Sequence, residues 1–160
     1  MNNKIFKFII FFVFSSILIF IDQLTKNIAK ANLENKPPHV IIDNILEFVY
    51  VENEGAAFGI MQKKQTLFFA LTIVVLTVII MLVYKLDLTK HNLLYFVFYI
   101  LIFSGAIGNF IDRVKNKYVV DFIYFKPINF PVFNFADICI TIGCALIIIT
   151  TFTIYKNDNL

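Results

Sequence analysis

Four long apolar stretches constrain this 160-residue chain more than any other feature. A helix crosses a bilayer with about 20 mostly apolar residues, and such stretches run over 5–21, 67–84, 93–111 and 136–155. The second and third carry no charge. The first holds only Lys7, near its entry, where a long side chain can snorkel, and the fourth only Asp137, at its start. The expected fold is a mainly α membrane protein: a four-transmembrane-helix bundle forming one integral domain over 1–160, with no room for a large soluble domain.

Composition agrees. The chain is 59% hydrophobic and 16% charged, against about 45–50% and about 25% in average soluble proteins. That hydrophobicity excludes disorder. A scattered net charge of +3 lacks the basic stripe of a nucleic-acid binder. Cys139 and Cys144 lie in an apolar run with neither CxxC nor zinc-site spacing; they read as buried apolar filler.

Lys4 and Lys7 before an apolar run resemble a signal peptide, and Ala29-Lys30-Ala31 has the letters of a cleavage site. That site lies far beyond the run, with Asp22 and Lys26 between, so cleavage is not expected. An even number of spans puts both termini on one side. The two long loops hold nine of the 14 Lys and Arg. However, Lys4, Lys7, Lys85 and Lys90 hug span ends, where the positive-inside rule is counted. Termini in the cytoplasm and loops 22–66 and 112–135 outside are therefore expected.

In the first outer loop Pro37-Pro38 breaks any helix. Val40-Ile41-Ile42 and Leu46–Glu52 read as short strands of a small sheet lying on the membrane surface. The second outer loop is short and aromatic, with Pro127 and Pro131.

The polar residues are concentrated at the outer ends of the spans. Asp22, Gln23 and Lys26 close the first; Asn109, Asp112 and Arg113 close the third; Asn134 and Asp137 open the fourth; Asp121 interrupts an apolar pentad between the last two groups. Gly105, Gly108, Asn109 and Asp112 recur at helical spacing and share one face, the glycines allowing close helix approach. Asn134, Asp137, Thr141 and Cys144 form another stripe, expected to face a partner helix rather than lipid. Bland readings stand beside these. Asn134-x-x-Asp137 is equally a helix cap with an acidic third residue, Asp112-Arg113 an interfacial ion pair, and Lys26 a snorkelling anchor.

Ionisable residues near the membrane are functional candidates by default. Ser15 and Ser16 lie inside the first span without Lys or His at helical reach, and His39 and His91 stand alone on opposite sides. Serine, zinc and Cys-His chemistry therefore lack their parts. Carboxylate remains. Two carboxylates held about 3 Å apart cannot both ionise, so one can activate water while the other, protonated, polarises a peptide carbonyl. Asp121 and Asp137 are the natural pair if the aromatic loop folds back. A proton-coupled transporter would keep its carboxylates near the midplane and often show repeats; here they gather at one surface and no repeat is visible. A non-catalytic assembly protein would leave the flanking of an aromatic loop by Asp121 and Asp137 unexplained.

Five segments resemble the lipoprotein signal peptidase (signal peptidase II) family, membrane aspartic proteases. They are Asp22-Gln23-Leu24-Thr25-Lys26 (D-Q-x-x-K), Asn53-Glu54-Gly55-Ala56-Ala57-Phe58 (N-x-G-A-A-F), Ser104–Arg113 (G-G-x-x-G-N-x-x-D-R), Val119-Val120-Asp121-Phe122 (V-V-D-F) and Phe133-Asn134-Phe135-Ala136-Asp137 (F-N-x-A-D). All five occur in order and cover nearly the whole length. The resemblance implies a hydrolase with Asp121 and Asp137 as catalytic dyad and no metal or organic cofactor. Asn53, Gly55, Asn109, Arg113 and Asn134 would line or brace the substrate site. Asp22, Lys26 and Asp112 would be structural or positioning residues, and the segment from Gly55 to Phe58 part of a flap over the substrate. The implied substrate is a prolipoprotein carrying diacylglycerol on its lipobox Cys, cut just before that Cys at the outer face of the bacterial cytoplasmic (inner) membrane. Membrane lipids as partners, sensitivity to globomycin, a monomeric state and no nucleic acid are also implied. Ser104 departs from the usual Gly pair; a Ser can bond within its own helix and keep the packing close.

Overall fold

The computed structural model describes residues 4–55, 65–89 and 92–157. Ala56–Phe58 of the expected flap, and Lys90 and His91, lie outside the described residues. Among the described residues, four helices are long and apolar enough to span a membrane: α1 (Lys4–Leu33), α2 (Gln65–Lys85), α3 (Asn92–Asn116) and α4 (Phe135–Asn157). The chain is thus a multi-pass membrane protein, with a three-stranded antiparallel sheet of β1 (His39–Ile42), β2 (Leu46–Asn53) and β3 (Val119–Phe125) in spatial order β1-β2-β3.

The first helix differs most from its expected span. It runs 30 residues, about 45 Å at the α-helical rise, well beyond a hydrocarbon core of about 30 Å. Asp22, Gln23 and Lys26 therefore sit on helix α1 and not in a loop, held on its buried face. The helix ends at Leu33; Asn35 turns left-handed at φ 59°, and Pro37-Pro38 leads into β1.

One end of the bundle is apolar. Phe11, Ile79, Val83, Phe96, Ile100 and Phe103 form its buried core, with the Phe11 ring 5.0 Å from that of Phe103 and 6.0 Å from that of Phe96. Lys7 does not snorkel as expected. Its ammonium is buried and donates to the carbonyls of Tyr84 (3.2 Å) and Leu86 (2.6 Å), groups that the end of α2 leaves without intrahelical partners. The charge-free α2 is mostly exposed, with only Ile79 and Val83 buried, as suits a helix lying against lipid.

At the other end, α3 closes on Lys117, a left-handed residue (φ 71°) whose N–H bonds Arg113 O at 3.2 Å. The chain then enters β3 at once. β3 pairs with β2 through Leu46↔Phe125, Val51↔Asp121 and Asn53↔Val119, with an irregularity between Phe48 and Val51. The aromatic loop folds back on β3: the N–H groups of Phe122 and Ile123 donate to Phe133 O (3.0 and 2.8 Å), and Phe133 N–H returns to Ile123 O at 3.0 Å. This clamp delivers Asn134 beside Asp121 and starts α4.

The sequence reading of α4 holds at its start and fails further along. Asn134 and Asp137 face α3, both bound to Asn109, but the stripe continues through Ala136, Cys139, Ile140 and Gly143, not Thr141 and Cys144: Cys139 is buried and Cys144 exposed. Gly143 is the reason, because a Cβ there would sit 2.6 Å from Ile102 Cγ1 and 3.1 Å from Phe98 O. The close approach to α3 is made along that line, which turns Thr141 and Cys144 off the interface. Cys144 is therefore not buried filler.

Candidate active site

Five elements place the polar groups at the sheet end of the bundle. Asp22 and Lys26 stand one helical turn apart on α1. Asn109 and Asp112 come from the buried face of α3, Asp121 from β3, Asn53 and Gly55 from the end of β2, and Asn134 and Asp137 from the start of α4. The glycines of α3 make the convergence possible. A Cβ on Gly105 would collide with Ala136 O and Ile140, and one on Gly108 with the Asp22 carboxylate. Ser104 keeps to its own helix, donating to Ile100 O at 2.6 Å.

The base of the site is an ionic layer. The Lys26 ammonium contacts Asp22 Oδ2 (2.9 Å), Asp112 Oδ2 (3.1 Å) and Asn109 Oδ1 (2.9 Å). It is buried, so it is no snorkelling anchor. Asp22 Oδ1 accepts the Ala136 N–H at 3.0 Å, and Asp112 Oδ2 accepts the Val120 N–H at 3.2 Å. One carboxylate thus holds the start of α4, the other the start of β3. Gln23 was not singled out for the site, although it stands in the D-Q-x-x-K segment. It donates to Asp112 Oδ1 (3.0 Å), Asp22 Oδ2 (3.2 Å) and Gly108 O (3.2 Å).

Above this layer, three side-chain amides bracket two carboxylates. Asn134 Nδ2 donates to Asp121 Oδ1 at 2.6 Å, and Asn53 Nδ2 to Asp121 Oδ2 at 2.8 Å. Asn109 Nδ2 donates to Asp137 Oδ1 at 2.8 Å, and the Asn134 N–H to Asp137 Oδ2 at 3.1 Å. Asn134 Oδ1 in turn accepts the Asp137 N–H at 3.0 Å, so the two residues cap α4 reciprocally, as the helix-cap reading expects. Asp121 and Asp137 line one cavity of about 680 Å³, together with Asn53, Gly55, Asn109 and Arg113. Its remaining wall is largely apolar, drawn from α2, α3 and α4.

Arg113 does not pair with Asp112. Its guanidinium donates to Gly55 O (3.2 Å) and Asn109 O (3.4 Å) and lies 4.7 Å from the centre of the Phe68 ring. Gly55 N–H bonds Asn53 Oδ1 at 3.0 Å, so Arg113, Gly55, Asn53 and Asp121 form one chain of contacts.

Asp121 lies on β3, outside the spans. Burial raises its carboxyl, and the nearby Asp137 charge raises it further, to about 7; the hydrogen bonds from Asn53 and Asn134 and the charge of Lys26 pull the other way. A carboxyl so placed holds a proton close to neutrality. Among the described residues, no group of three or more His, Cys, Asp and Glu could hold a metal ion.

Comparison with known proteins agrees with this architecture. Two solved structures of bacterial membrane enzymes, both obtained by the in meso method, superpose with TM-scores of 0.82 and 0.78. The first is 36% identical, covering 92% of this chain and 90% of its own; the second is 37% identical, covering 88% and 91%. The lipoprotein signal peptidase of Latilactobacillus sakei subsp. sakei (strain 23K) is 37% identical over 141 residues, 88% of this chain and 92% of that protein. That of Clostridium tetani (strain Massachusetts / E88) is 41% identical over 135 residues, 82% and 85%. The profile of the family described as Signal peptidase (SPase) II matches residues 14–153, and the chain belongs to that family of lipoprotein signal peptidases.

Proposed function

We propose that the chain is an aspartic endopeptidase that cuts diacylglyceryl-modified prolipoproteins just before the lipidated Cys. The observation that carries this reading is the sharing of one cavity by Asp121 and Asp137, both bound to Asn134, one through its side chain and one through its backbone. One carboxylate takes a proton from water as the oxygen attacks the scissile carbonyl. The other, protonated, hydrogen-bonds that carbonyl and later returns a proton to the leaving nitrogen. Asp121, pushed up to about 7, suits the protonated role. Asn53, Asn109 and Asn134 hold the two carboxyl groups in place, and Arg113 braces the substrate side through Gly55.

The apolar wall of the cavity supports the lipidated substrate: acyl chains lie between α2, α3 and α4 while the peptide enters from the sheet. Lipid binding then positions the scissile bond, which is catalysis by orientation. The protein works as one integral domain and as a monomer in the bacterial cytoplasmic membrane. Its termini are cytoplasmic, its active site is at the outer face, and it is sensitive to globomycin. The Lys residues near the ends of α1 and α2 favour that orientation.

The deciding experiment is cleavage of a diacylglyceryl-prolipoprotein in detergent by wild type, Asp121→Asn and Asp137→Asn, with folding checked for each. Cleavage before the lipidated Cys by wild type, falling by orders of magnitude in both variants, is the expected result. Normal cleavage by the variants would make both carboxylates structural.

A further inference from the structure

The proton polarity of the amide network is set from below, by a residue that does not line the cavity. A lysine ammonium can only donate. Lys26 has three N–H groups and three acceptors, one of them Asn109 Oδ1 at 2.9 Å. The Asn109 oxygen, which accepts from Lys26 as the shorter and charged donor and from Asn134 Nδ2 at 3.1 Å, is therefore held toward α1, and its NH₂ must face Asp137, which it meets at 2.8 Å. Asn134 is locked in the same way by the Asp137 N–H, which also can only donate, so its NH₂ faces Asp121. Were the Asn109 amide turned over, an oxygen would face the Asp137 carboxylate, and that contact would require a proton between them. Lys26 is 2% exposed, too deep to be reached by substrate.

We propose that Lys26 is a positioning residue: by holding Asn109 Oδ1 it aims the Asn109 NH₂ at Asp137 and so keeps that carboxylate available as a base. This rests on the aspartic peptidase reading above. The charged groups around the dyad are Asp22 and Lys26 from α1, Asp112 and Arg113 from α3, Asp121 from β3 and Asp137 from α4. β2 brings the neutral Asn53, its Glu52 bonding Tyr50 instead.

The test is a pH–rate cycle on detergent-solubilised, full-length protein with a diacylglyceryl-prolipoprotein substrate. Lys26→Met is combined with Asp22→Asn so that no net charge is lost, and the pair is measured with Asn109 intact and in an Asn109→Ala background. With Asn109 intact, kcat falls about tenfold or more, KM changes little, and the acid limb of the profile moves to higher pH because the ionised dyad has lost a donor. In the Asn109→Ala background the same change has little further effect. A loss of equal size in both backgrounds, or an unmoved acid limb, would overturn the proposal and leave Lys26 with a packing role.

If the double variant does not fold, the isosteric Asn109→Asp supplies the test, since it keeps every Lys26 contact and presents only acceptors to Asp137. A raised acid limb supports the proposal, and a wild-type profile refutes it. Asp121→Asn runs alongside. If it cuts normally, the dyad reading has failed; if it is inert while the cycle is additive, only the role of Lys26 has.

Discussion

Asn134 and Asp137 cap the first turn of α4 reciprocally, at 3.0 and 3.1 Å, while the other Asp137 oxygen is bound to Asn109 and the Asn134 NH₂ to Asp121. The cap and the proposed dyad thus share one set of contacts. Asp137→Asn keeps an oxygen for the Asn134 N–H but turns an NH₂ toward the Asn109 NH₂, so it should abolish cleavage and cost about 1–3 kcal/mol in thermal unfolding in detergent. Asp137→Ala should lose cleavage and about 1 kcal/mol of stability besides.

Asn134→Ala removes a fully buried side chain that serves Asp121, Asn109 and the Asp137 N–H together. Leaving such groups unpaired costs about 1–3 kcal/mol. The variant should unfold at lower temperature and cut at least tenfold more slowly, by the logic of a displaced general base.

The carboxyl of Asp121, raised to about 7 by burial and by Asp137, has two pH consequences. Peptidase activity should decline as pH rises through about 7, where the dyad loses its last proton. Stability carries the opposite sign from an ordinary salt-bridged carboxylate. The folded state binds the proton more tightly than the unfolded chain, so this contribution is present below the unfolded value and is lost as pH rises through the folded one. Asp121→Asn should lack that slope. Its stability relative to wild type should climb between pH 4 and 7 and then level off, which denaturation in detergent at several pH values would measure; a constant difference would contradict the burial argument.

Gly108→Ala drives a methyl into the Asp22 carboxylate, and Gly105→Ala drives one into the Ala136 carbonyl. Overpacking of this kind costs about 1–3 kcal/mol, and here it displaces the start of α4, so activity should fall as well. Ser104→Gly should do neither of these things to the site. It removes one intrahelical bond, costs about 0.5 kcal/mol in helix propensity and should leave the cleavage rate unchanged.

Much of this arrangement was legible in the sequence, because bilayer length and helical spacing are strong signals. The four spans follow from apolar run length, and the shared face of Gly105, Gly108, Asn109 and Asp112 from steps of three and four. Other features depend on contacts between distant elements and leave no local trace. Lys7 reads as a snorkelling cation until Tyr84 and Leu86 are placed beside it. On α4 the stripe begun by Asn134 and Asp137 does not continue to Thr141 and Cys144, because Gly143, not a polar residue, decides which face meets α3 beyond the first turn. Helix α1 outruns its apolar stretch because Asp22 and Lys26 pair with each other and with α3 inside the bundle, so the helix does not stop at its first charge.

That pairing of Asp22 with Lys26 bears on how the chain is inserted. The two charges stand four residues apart at 2.9 Å on one helix, so α1 can enter the bilayer with its charges mutually compensated, before any other helix has arrived. Asp112 has no such partner on its own helix, and its Lys26 contact requires α1 to be in place already. The order of synthesis matches this need. The first helix brings a cation already paired, the third adds a carboxylate to it, and the fourth, anchored to Asp22 through Ala136, closes the bundle. The charged layer can therefore be assembled step by step, each carboxylate meeting Lys26 as its helix arrives.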